Sequence, residues 1–313
     1  MKKFKLKEIK FIEEGDTLEE VSDGFSGAQL YFVIKKNEKY FLKIFNEKFD
    51  FNKIDILKKQ LEIYKKLNIK SIEIIDFGKI ENPEEYYIVY NYIDGQNLKR
   101  ITDSKEYNLQ YIRNLGRKIG KQLSKLREYN QYDKELFEFK DINKLTENII
   151  NNFNLMLKDE KVLMLMHKYF DNDKLKKLEN KLKENIKVFR NIEPKLIHGD
   201  VKRANVMVDK NGELYMVDVE SMQLNYDVMN FLYQMTWLLF KENRKEAEFV
   251  RGYFDGIYNN KRPDNFNEQI IFMAILNFFN ESYHMYSESD MKELDRYTKK
   301  CNDLFNRINN INL

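Results

Sequence analysis

The sequence predicts an α+β protein with a small antiparallel sheet in its first part and a larger, mostly helical second part. Up to residue 93, apolar and polar residues alternate in several short runs, which is typical of half-buried strands. After residue 94 the apolar residues instead recur every three or four positions, which is typical of amphipathic helices. We therefore predict two domains, residues 1–93 and 94–313.

Composition narrows the class of protein. With 313 residues, 42% of them hydrophobic, the chain can bury a large core and divide into two lobes. The 54 basic and 51 acidic residues give a net charge of +3, which offers no argument for a nucleic-acid partner. Cys301 is the single cysteine, which excludes an intrachain disulfide and favours a reducing, cytoplasmic setting. We expect no signal peptide, because no apolar stretch follows the basic residues 1–7. We expect no membrane span either, because the most apolar run, 228–240, is too short and is predicted to be a core helix.

Five strands are predicted in the first domain. The pattern is strand-like over 21–45, where runs 31–35 and 39–45 flank a turn at Lys36-Asn37-Glu38. Runs 71–76 and 86–93 complete a five-stranded antiparallel sheet. Between runs 39–45 and 71–76 lies an amphipathic helix, whose apolar stripe comprises Ile54, Leu57, Leu61, Tyr64 and Leu67.

The second domain is predicted to be helical. Apolar stripes run over 112–126 and 175–189, and a long helical stretch covers 135–190. Asp227 is a candidate N-cap for the apolar helix that follows it. Aromatic-rich helices are predicted near the C-terminus, where they either wall an acceptor site or form core.

The chemistry is concentrated between residues 198 and 218. His198-Gly199-Asp200 and Asn205 precede a predicted hairpin, 206–209 and 213–217, whose turn contains Asn211-Gly212. Asp218 follows this hairpin and is expected beside the loop that carries the first residues. One Asp can orient or deprotonate an attacking hydroxyl, while Asn and a second Asp supply the oxygen ligands that Mg²⁺ prefers. This set of residues is typical of phosphoryl transfer.

In order and spacing, these residues resemble the catalytic motif of the aminoglycoside phosphotransferase and choline kinase superfamily. The resemblance implies a bilobal protein-kinase-like fold, with a nucleotide-binding lobe before residue 94 and a helical C-terminal lobe. It assigns Asp200 as the catalytic Asp, Asn205 as a metal ligand, and Asp218 as the counterpart of the DFG Asp of protein kinases. The cofactors it implies are Mg²⁺ and ATP, with GTP as the alternative.

The same resemblance locates a phosphate-binding loop and lysine. Gly24, Ser26 and Gly27 lie where kinases have a Gly-rich loop, with Ser22 at its first glycine position. Lys43, on a predicted strand, corresponds to the lysine that holds the α- and β-phosphates.

The partner of this lysine and the adenine contacts are less well defined by the sequence. Gln60 stands where the superfamily places a glutamate that pairs with the lysine, so either Gln60 or Glu62 is the candidate partner. Backbone groups near Asn91 and Ile93 would bind adenine, with Tyr90 as gatekeeper. Glu220 is interpreted either as part of the second shell of the metal or as a surface residue.

The predicted reaction moves the γ-phosphate to a hydroxyl of a small molecule, such as an aminoglycoside, a choline-like alcohol, a sugar or an amino-acid alcohol. Helices inserted before the motif favour this class. Lys202 keeps a protein kinase as an alternative, because Ser/Thr kinases have a lysine at this position. The departures from the superfamily pattern at Gln60 and Ser22 leave a further alternative, a catalytically weak nucleotide binder similar to spore-coat proteins of this fold. The acceptor and the oligomeric state stay open.

Overall fold

The computed structural model describes residues 8–21, 28–45, 53–80, 85–131, 137, 139, 141–231 and 245–306. They belong to two units. The sheet unit comprises the chain up to Leu98 together with Ala204–Glu220. The helical unit comprises Lys99–Arg203 and the chain from Ser221 onward. The domain boundary that we place after residue 93 stays a prediction.

The sheet unit contains a five-stranded antiparallel sheet, as predicted, but its first strand lies before the predicted strand-like region 21–45. The strands are β1 (Thr17–Glu20), β2 (Gln29–Lys35), β3 (Glu38–Phe45), β4 (Ile74–Ile80) and β5 (Glu85–Asn91), paired in the order β1-β2-β3-β5-β4. The turn between β2 and β3 consists of Lys36 and Asn37, whose φ angles are 51° and 69°. Two positive φ angles suit a two-residue hairpin, because they match the twist of the flanking strands.

The two faces of this sheet have different surroundings. One face forms a buried core with Ile9 and Ile80, to which the strands contribute Tyr31, Val33, Leu42, Ile44, Tyr87 and Val89. Because side chains alternate along a strand, Lys43 lies on the opposite face from Leu42 and Ile44. Its cross-strand partners there are Leu30 and Ile88.

The predicted helix of the sheet unit is α1 (Lys53–Lys66). Its buried residues are Ile54, Leu57, Gln60, Ile63 and Tyr64. They recur at intervals of three and four, so they lie on one face of the helix. A polar residue, Gln60, is therefore part of the buried face.

The predicted hairpin after Asn205 is also present. Strands β6 (Gly95–Asn97), β8 (Val206–Asp209) and β9 (Leu214–Met216) form a three-stranded sheet, in which β8 pairs with both others. The side chain of Asp209 organises the turn, because its carboxylate accepts hydrogen bonds from the N–H groups of Asn211 and Glu213, both at 2.8 Å. Gly212 supplies a φ of 75°.

The helical unit contains two short strands and most of the helices. The strands are β7 (Lys195–Ile197) and β10 (Gln223–Asn225). The helices are α2 (Leu98–Asp103), α3 (Leu109–Glu128), α4 (Ile142–Met156), α5 (Glu160–His167), α6 (Asn172–Asn185), α7 (Lys245–Ile257), α8 (Phe266–Ser287) and α9 (Met291–Phe305). The described part of the predicted helical stretch 135–190 thus contains three separate α-helices, because the side chains of Asp159 and Asp171 cap new N-termini.

Four glycines allow α3 and α7 to pack with their backbones in contact. A Cβ on Gly116 would lie 2.0 Å from the Phe249 carbonyl oxygen, and one on Gly252 would lie 2.0 Å from the Arg113 carbonyl oxygen. Gly120 and Gly256 repeat this arrangement one turn further along. The contact therefore depends on the absence of side chains at these positions.

Two predicted features lie wholly or partly outside the described residues. Gly24, Ser26 and Gly27, together with Ser22, belong to the undescribed segment 22–27. Of the predicted core helix 228–240, the described part belongs to the 3₁₀ turn Asp227–Phe231. The capping role of Asp227 stays a prediction, and its buried carboxylate lies 3.1 Å from Arg127 Nε.

Candidate functional site: a phosphoryl-transfer motif

The loop that carries Asp200 begins where β7 ends. Gly199 has a φ of 86°, and a Cβ there would lie 2.1 Å from the Ser221 carbonyl oxygen. Only glycine fits this position without a backbone shift. The N–H of Asp200 donates to Nδ1 of His198 at 3.3 Å, and His198 is fully buried. The His-Gly-Asp sequence therefore has a local structural reason as well as a chemical one.

Asn230 holds this loop on both sides of Asp200. Its side-chain oxygen accepts a hydrogen bond from the Gly199 N–H at 2.9 Å, and its backbone oxygen accepts one from the Val201 N–H at 3.0 Å. Its amide nitrogen donates to the hydroxyl of Tyr253 at 2.9 Å. Asn230 is 3% exposed, so water does not compete for these bonds. Sequence reasoning missed this role, although Asn230 is visible as a polar residue within an apolar run.

The Asp200 carboxylate is partly exposed and carries an ion pair. Lys202 Nζ lies 2.7 Å from its Oδ2, and 24% of the Asp200 side chain is exposed. The carboxylate is thus accessible to a reacting hydroxyl, while a flexible cation lies beside it. This cation can also meet a phosphate group.

The predicted metal ligands are Asn205 and Asp218, and a backbone hydrogen bond within the sheet unit connects Asn205 to Val217, the residue before Asp218. Asn205 is buried in the 3₁₀ turn Arg203–Asn205, and its carbonyl oxygen accepts a hydrogen bond from the N–H of Val217 at 3.0 Å. The next residue, Asp218, has a φ of 61°, which short polar residues such as Asp tolerate best after glycine. The hairpin therefore delivers Asp218 beside Asn205, as its length and turn predict.

Lys43 completes the group of charges in the sheet unit. Its Nζ lies 2.8 Å from Glu220 Oε1 and 3.2 Å from Asp218 Oδ1, and its side chain is 9% exposed. Burial alone would lower the pKa of Lys43, but the attraction of Glu220 and Asp218 outweighs it and raises that pKa above its ordinary value. Lys43 is therefore a stable cation.

Burial and neighbouring charges also shift the pKa values of Glu220 and Tyr90, two ionisable groups near Lys43. Loss of hydration raises the pKa of Glu220, opposed by Lys43 and reinforced by Asp218, although 38% of its side chain stays exposed. Burial, followed by the charges of Glu220 and Asp218, raises the pKa of Tyr90 well above its ordinary value. Tyr90 is therefore near this charged group and 2% exposed.

The remaining predicted nucleotide contacts lie elsewhere in the sheet unit. Glu62 is exposed on α1, and within the described residues the ion pairs of Lys43 are those to Asp218 and Glu220. The N–H of Asn91 donates to the carbonyl of Glu73 at 3.1 Å, and its side-chain oxygen accepts from the Glu73 N–H. An adenine contact of Asn91 through its N–H would have to replace that bond. Ile93 is buried after β5, and the roles of all three residues stay predictions.

The donor set suits magnesium rather than a softer metal. Within the part of the chain that the structure describes, no group of three or more His, Cys, Asp or Glu residues could hold a metal. An amide oxygen from Asn205 and a carboxylate from Asp218 are hard oxygen donors. Mg²⁺ is commonly held by one or two carboxylates together with substrate phosphates and water. The residues present therefore fit that ion.

Several solved structures with a similar fold are phosphotransferases or kinases. An aminopropanol kinase associated with a microcompartment has a TM-score of 0.68 at 12% identity, with 98% of this chain and 96% of that chain covered. An AMP-bound spectinomycin phosphotransferase has a TM-score of 0.65 at 14% identity, with 95% and 94% covered. A thermostable aminoglycoside phosphotransferase mutant in a ternary complex with ADP and hygromycin B has a TM-score of 0.60 at 12% identity, with 95% of each chain covered. The predicted kinase-like fold class is confirmed.

The sequence comparison gives the family. Residues 17–257 match the phosphotransferase enzyme family designated APH, and this match spans most of the chain. The chain therefore belongs to that family, which confirms the superfamily predicted from the motif. No curated protein matches the sequence. Among the described helices, none has the length and apolar character needed to cross a bilayer.

Proposed function

We propose that this chain is a small-molecule kinase that transfers the γ-phosphate of ATP to a hydroxyl group. The observation that carries the proposal is the arrangement in the sheet unit, where Val217, the residue before Asp218, donates its N–H to the Asn205 backbone oxygen, and Asp218 Oδ1 lies 3.2 Å from the Lys43 ammonium. Two hard oxygen donors and a buried cation in one place suit a metal-bound polyphosphate. The AMP and ADP in related solved structures support a nucleotide substrate.

Each residue has a defined part in the proposed reaction. Lys43 binds the nucleotide phosphates, and Asn205 and Asp218 hold Mg²⁺, which neutralises phosphate charge when bound. Asp200 orients the acceptor hydroxyl and takes its proton. The acceptor oxygen forms a bond to the γ-phosphorus while the bond from that phosphorus to the ADP oxygen breaks. Nucleotide handling is assigned to residues 1–93 and acceptor binding to 94–313, with cytoplasmic ATP as the donor.

The fold relatives and the helices inserted before the motif support a proposal for the acceptor class. Spectinomycin, hygromycin B and aminopropanol, named in the related structures, all present hydroxyl and amino groups. We propose an acceptor of this chemistry. ADP release should be measured with magnesium across aminoglycosides, amino alcohols and sugars, and GDP release with GTP as donor. Acceptor-dependent release supports the proposal, whereas release with none of these acceptors contradicts it.

A protein kinase is the second candidate, because one contact favours it. Lys202 lies 2.7 Å from the Asp200 carboxylate, two residues after it, as in Ser/Thr protein kinases. This candidate predicts phosphate transfer to a peptide or to the chain itself. Magnesium-dependent ATP binding without any transfer would instead indicate a catalytically weak nucleotide binder.

A further inference from the structure

The buried ammonium of Lys43 requires a carboxylate partner, and this partner does not come from the helix on which we expected it. An isolated charge is costly to bury, so a buried lysine is normally paired and hydrogen-bonded. Here the closest partner is Glu220 Oε1, at 2.8 Å, and Asp218 Oδ1 follows at 3.2 Å. Both carboxylates come from the segment after β9 rather than from helix α1.

Helix α1 does not supply the charge. Its buried face presents Gln60, which is neutral, while Glu62 is exposed. Two residues along a helix correspond to about 200° of rotation, so Gln60 and Glu62 point in nearly opposite directions. The helix therefore contributes an uncharged residue where it is buried, and its nearby glutamate faces solvent.

The two carboxylates that Lys43 contacts differ in what else they do. Asp218 is the proposed metal ligand, and its charge is directed to the metal when one is bound. Glu220 is the closer of the two, and it follows the fully buried Val219 in the 3₁₀ turn Val219–Ser221. The ion pair places the Glu220 carboxylate against the Lys43 ammonium.

We propose that Glu220 is the positioning residue for Lys43 and takes the part that a glutamate on helix α1 would otherwise have. It holds the ammonium in place for the nucleotide phosphates while Asp218 serves the metal. This inference rests on the proposed function only in requiring that the chain bind a nucleotide. It concerns the orientation of Lys43 and no chemical step.

The inference can be separated from a role of Glu220 at the metal. If Glu220 acts only through Mg²⁺, its loss has no unfavourable effect on nucleotide binding without metal. The negative charge of Glu220 would then repel the nucleotide phosphates, so removing this charge would strengthen metal-free nucleotide binding. If Glu220 positions Lys43, its loss weakens metal-free binding, and only while Lys43 is present. The sign of the effect and its dependence on Lys43 therefore distinguish the two roles.

The experiment is a double-mutant cycle of ATP affinity, measured by calorimetry in EDTA and again with magnesium. Wild type, Glu220→Gln, Lys43→Met and the double variant form the cycle. We expect Glu220→Gln to weaken metal-free binding about tenfold in the wild-type background, as for loss of a charge-assisted hydrogen bond to the buried Lys43 ammonium. In the Lys43→Met background the same change should not weaken binding. Glu213→Gln, which removes a surface ion pair with Lys70, is the matched control and should have no effect.

Several outcomes would overturn the inference. Unchanged or stronger metal-free binding in Glu220→Gln, or an equal loss in both backgrounds, removes the proposed role. Weakening by Glu62→Gln instead of Glu220→Gln would identify the helix residue as the partner. Circular dichroism melting of each variant separates unfolding from a local effect, and Glu220→Asp, which keeps the charge, should recover part of the affinity.

Failure of the proposed function gives a different pattern. If Glu220→Gln weakens ATP binding only while Lys43 is present, but no acceptor gives ADP release, the role of Glu220 is supported and the small-molecule kinase is contradicted. If an acceptor gives ADP release but Glu220→Gln does not weaken ATP binding in this way, the kinase is supported and the role of Glu220 is contradicted. A folded wild-type chain that binds no ATP in either condition overturns both.

Discussion

The side-chain oxygen of Asn230 lies 2.9 Å from the Gly199 nitrogen and accepts its N–H, while the backbone oxygen of Asn230 accepts the N–H of Val201. One buried residue thus fixes the peptide groups on either side of Asp200. The position of the Asp200 carboxylate therefore depends on a residue 31 positions away from Gly199 in the chain.

We predict that Asn230→Leu lowers kcat by about tenfold or more with little change in ATP affinity, because small displacements of catalytic groups are costly. Asn230→Asp keeps the oxygen that accepts from Gly199 and should recover part of kcat. Steady-state kinetics and ATP titration measure the two effects. Asn277→Leu, in another buried position, is the control and should change stability alone. A fall in ATP affinity equal to the fall in kcat would contradict the prediction.

Substitution of Asp218 should separate metal binding from backbone strain. Asp218→Asn and Asp218→Ala both remove the carboxylate, so both should weaken magnesium-dependent ATP binding. At a φ of 61°, Ala is disfavoured relative to Asn, so Asp218→Ala should lower the free energy of unfolding by a further ~1 kcal/mol. Magnesium titrations of ATP affinity and urea unfolding measure the two effects. An affinity that still rises with magnesium as in wild type would remove Asp218 from the metal.

The packing of α3 on α7 predicts a large effect of single methyl groups. Gly116→Ala and Gly252→Ala each place a Cβ about 2 Å from a carbonyl oxygen, which requires the helices to separate. Overpacking of this kind costs about 1–3 kcal/mol. Lys118→Ala, on the exposed face of α3, should stay within about 0.5 kcal/mol of wild type. Equal unfolding free energies for the glycine variants and the control would show that the helices do not pack this closely.

The single cysteine gives a pH-dependent test of how α9 is packed. Cys301 is fully buried, and burial raises the pKa of its thiol far above that of a free thiol. In the unfolded chain the thiol ionises above about pH 8.5, whereas in the native protein it stays protonated. This group therefore lowers native stability as pH rises past that value. A thiol reagent should label Cys301 slowly in native protein and rapidly in denaturant, and rapid native labelling at pH 8 would contradict the buried position.

Local sequence patterns anticipated much of the fold. Alternation located the sheet and the hairpin that precedes Asp218, and the apolar stripe located α1, because both patterns reflect burial of one face. The long helical stretch 135–190 was not resolved into its helices. Its breaks depend on Asp159 and Asp171, whose capping role is a local signal weaker than apolar periodicity.

The partners of the functional residues were harder to predict. Lys43 and Glu220 are 177 positions apart, and their ion pair depends on where β9 and its following turn pack. The hydrogen bonds of Asn230 likewise depend on tertiary structure, because the sequence around an Asn in an apolar run does not show which residues it will contact. Spacing did predict that the hairpin returns the chain to Asn205 just before Asp218, because only that hairpin separates the two residues. Their catalytic and metal-binding roles stay predictions.

The most direct test of the kinase assignment is transfer of labelled γ-phosphate from ATP to an acceptor by wild type and by Asp200→Asn, with ATP affinity measured in parallel. We predict that Asp200→Asn loses transfer by at least about a hundredfold, as for removal of a general base, and binds ATP nearly as wild type does. Transfer by Asp200→Asn at the wild-type rate would contradict the central claim.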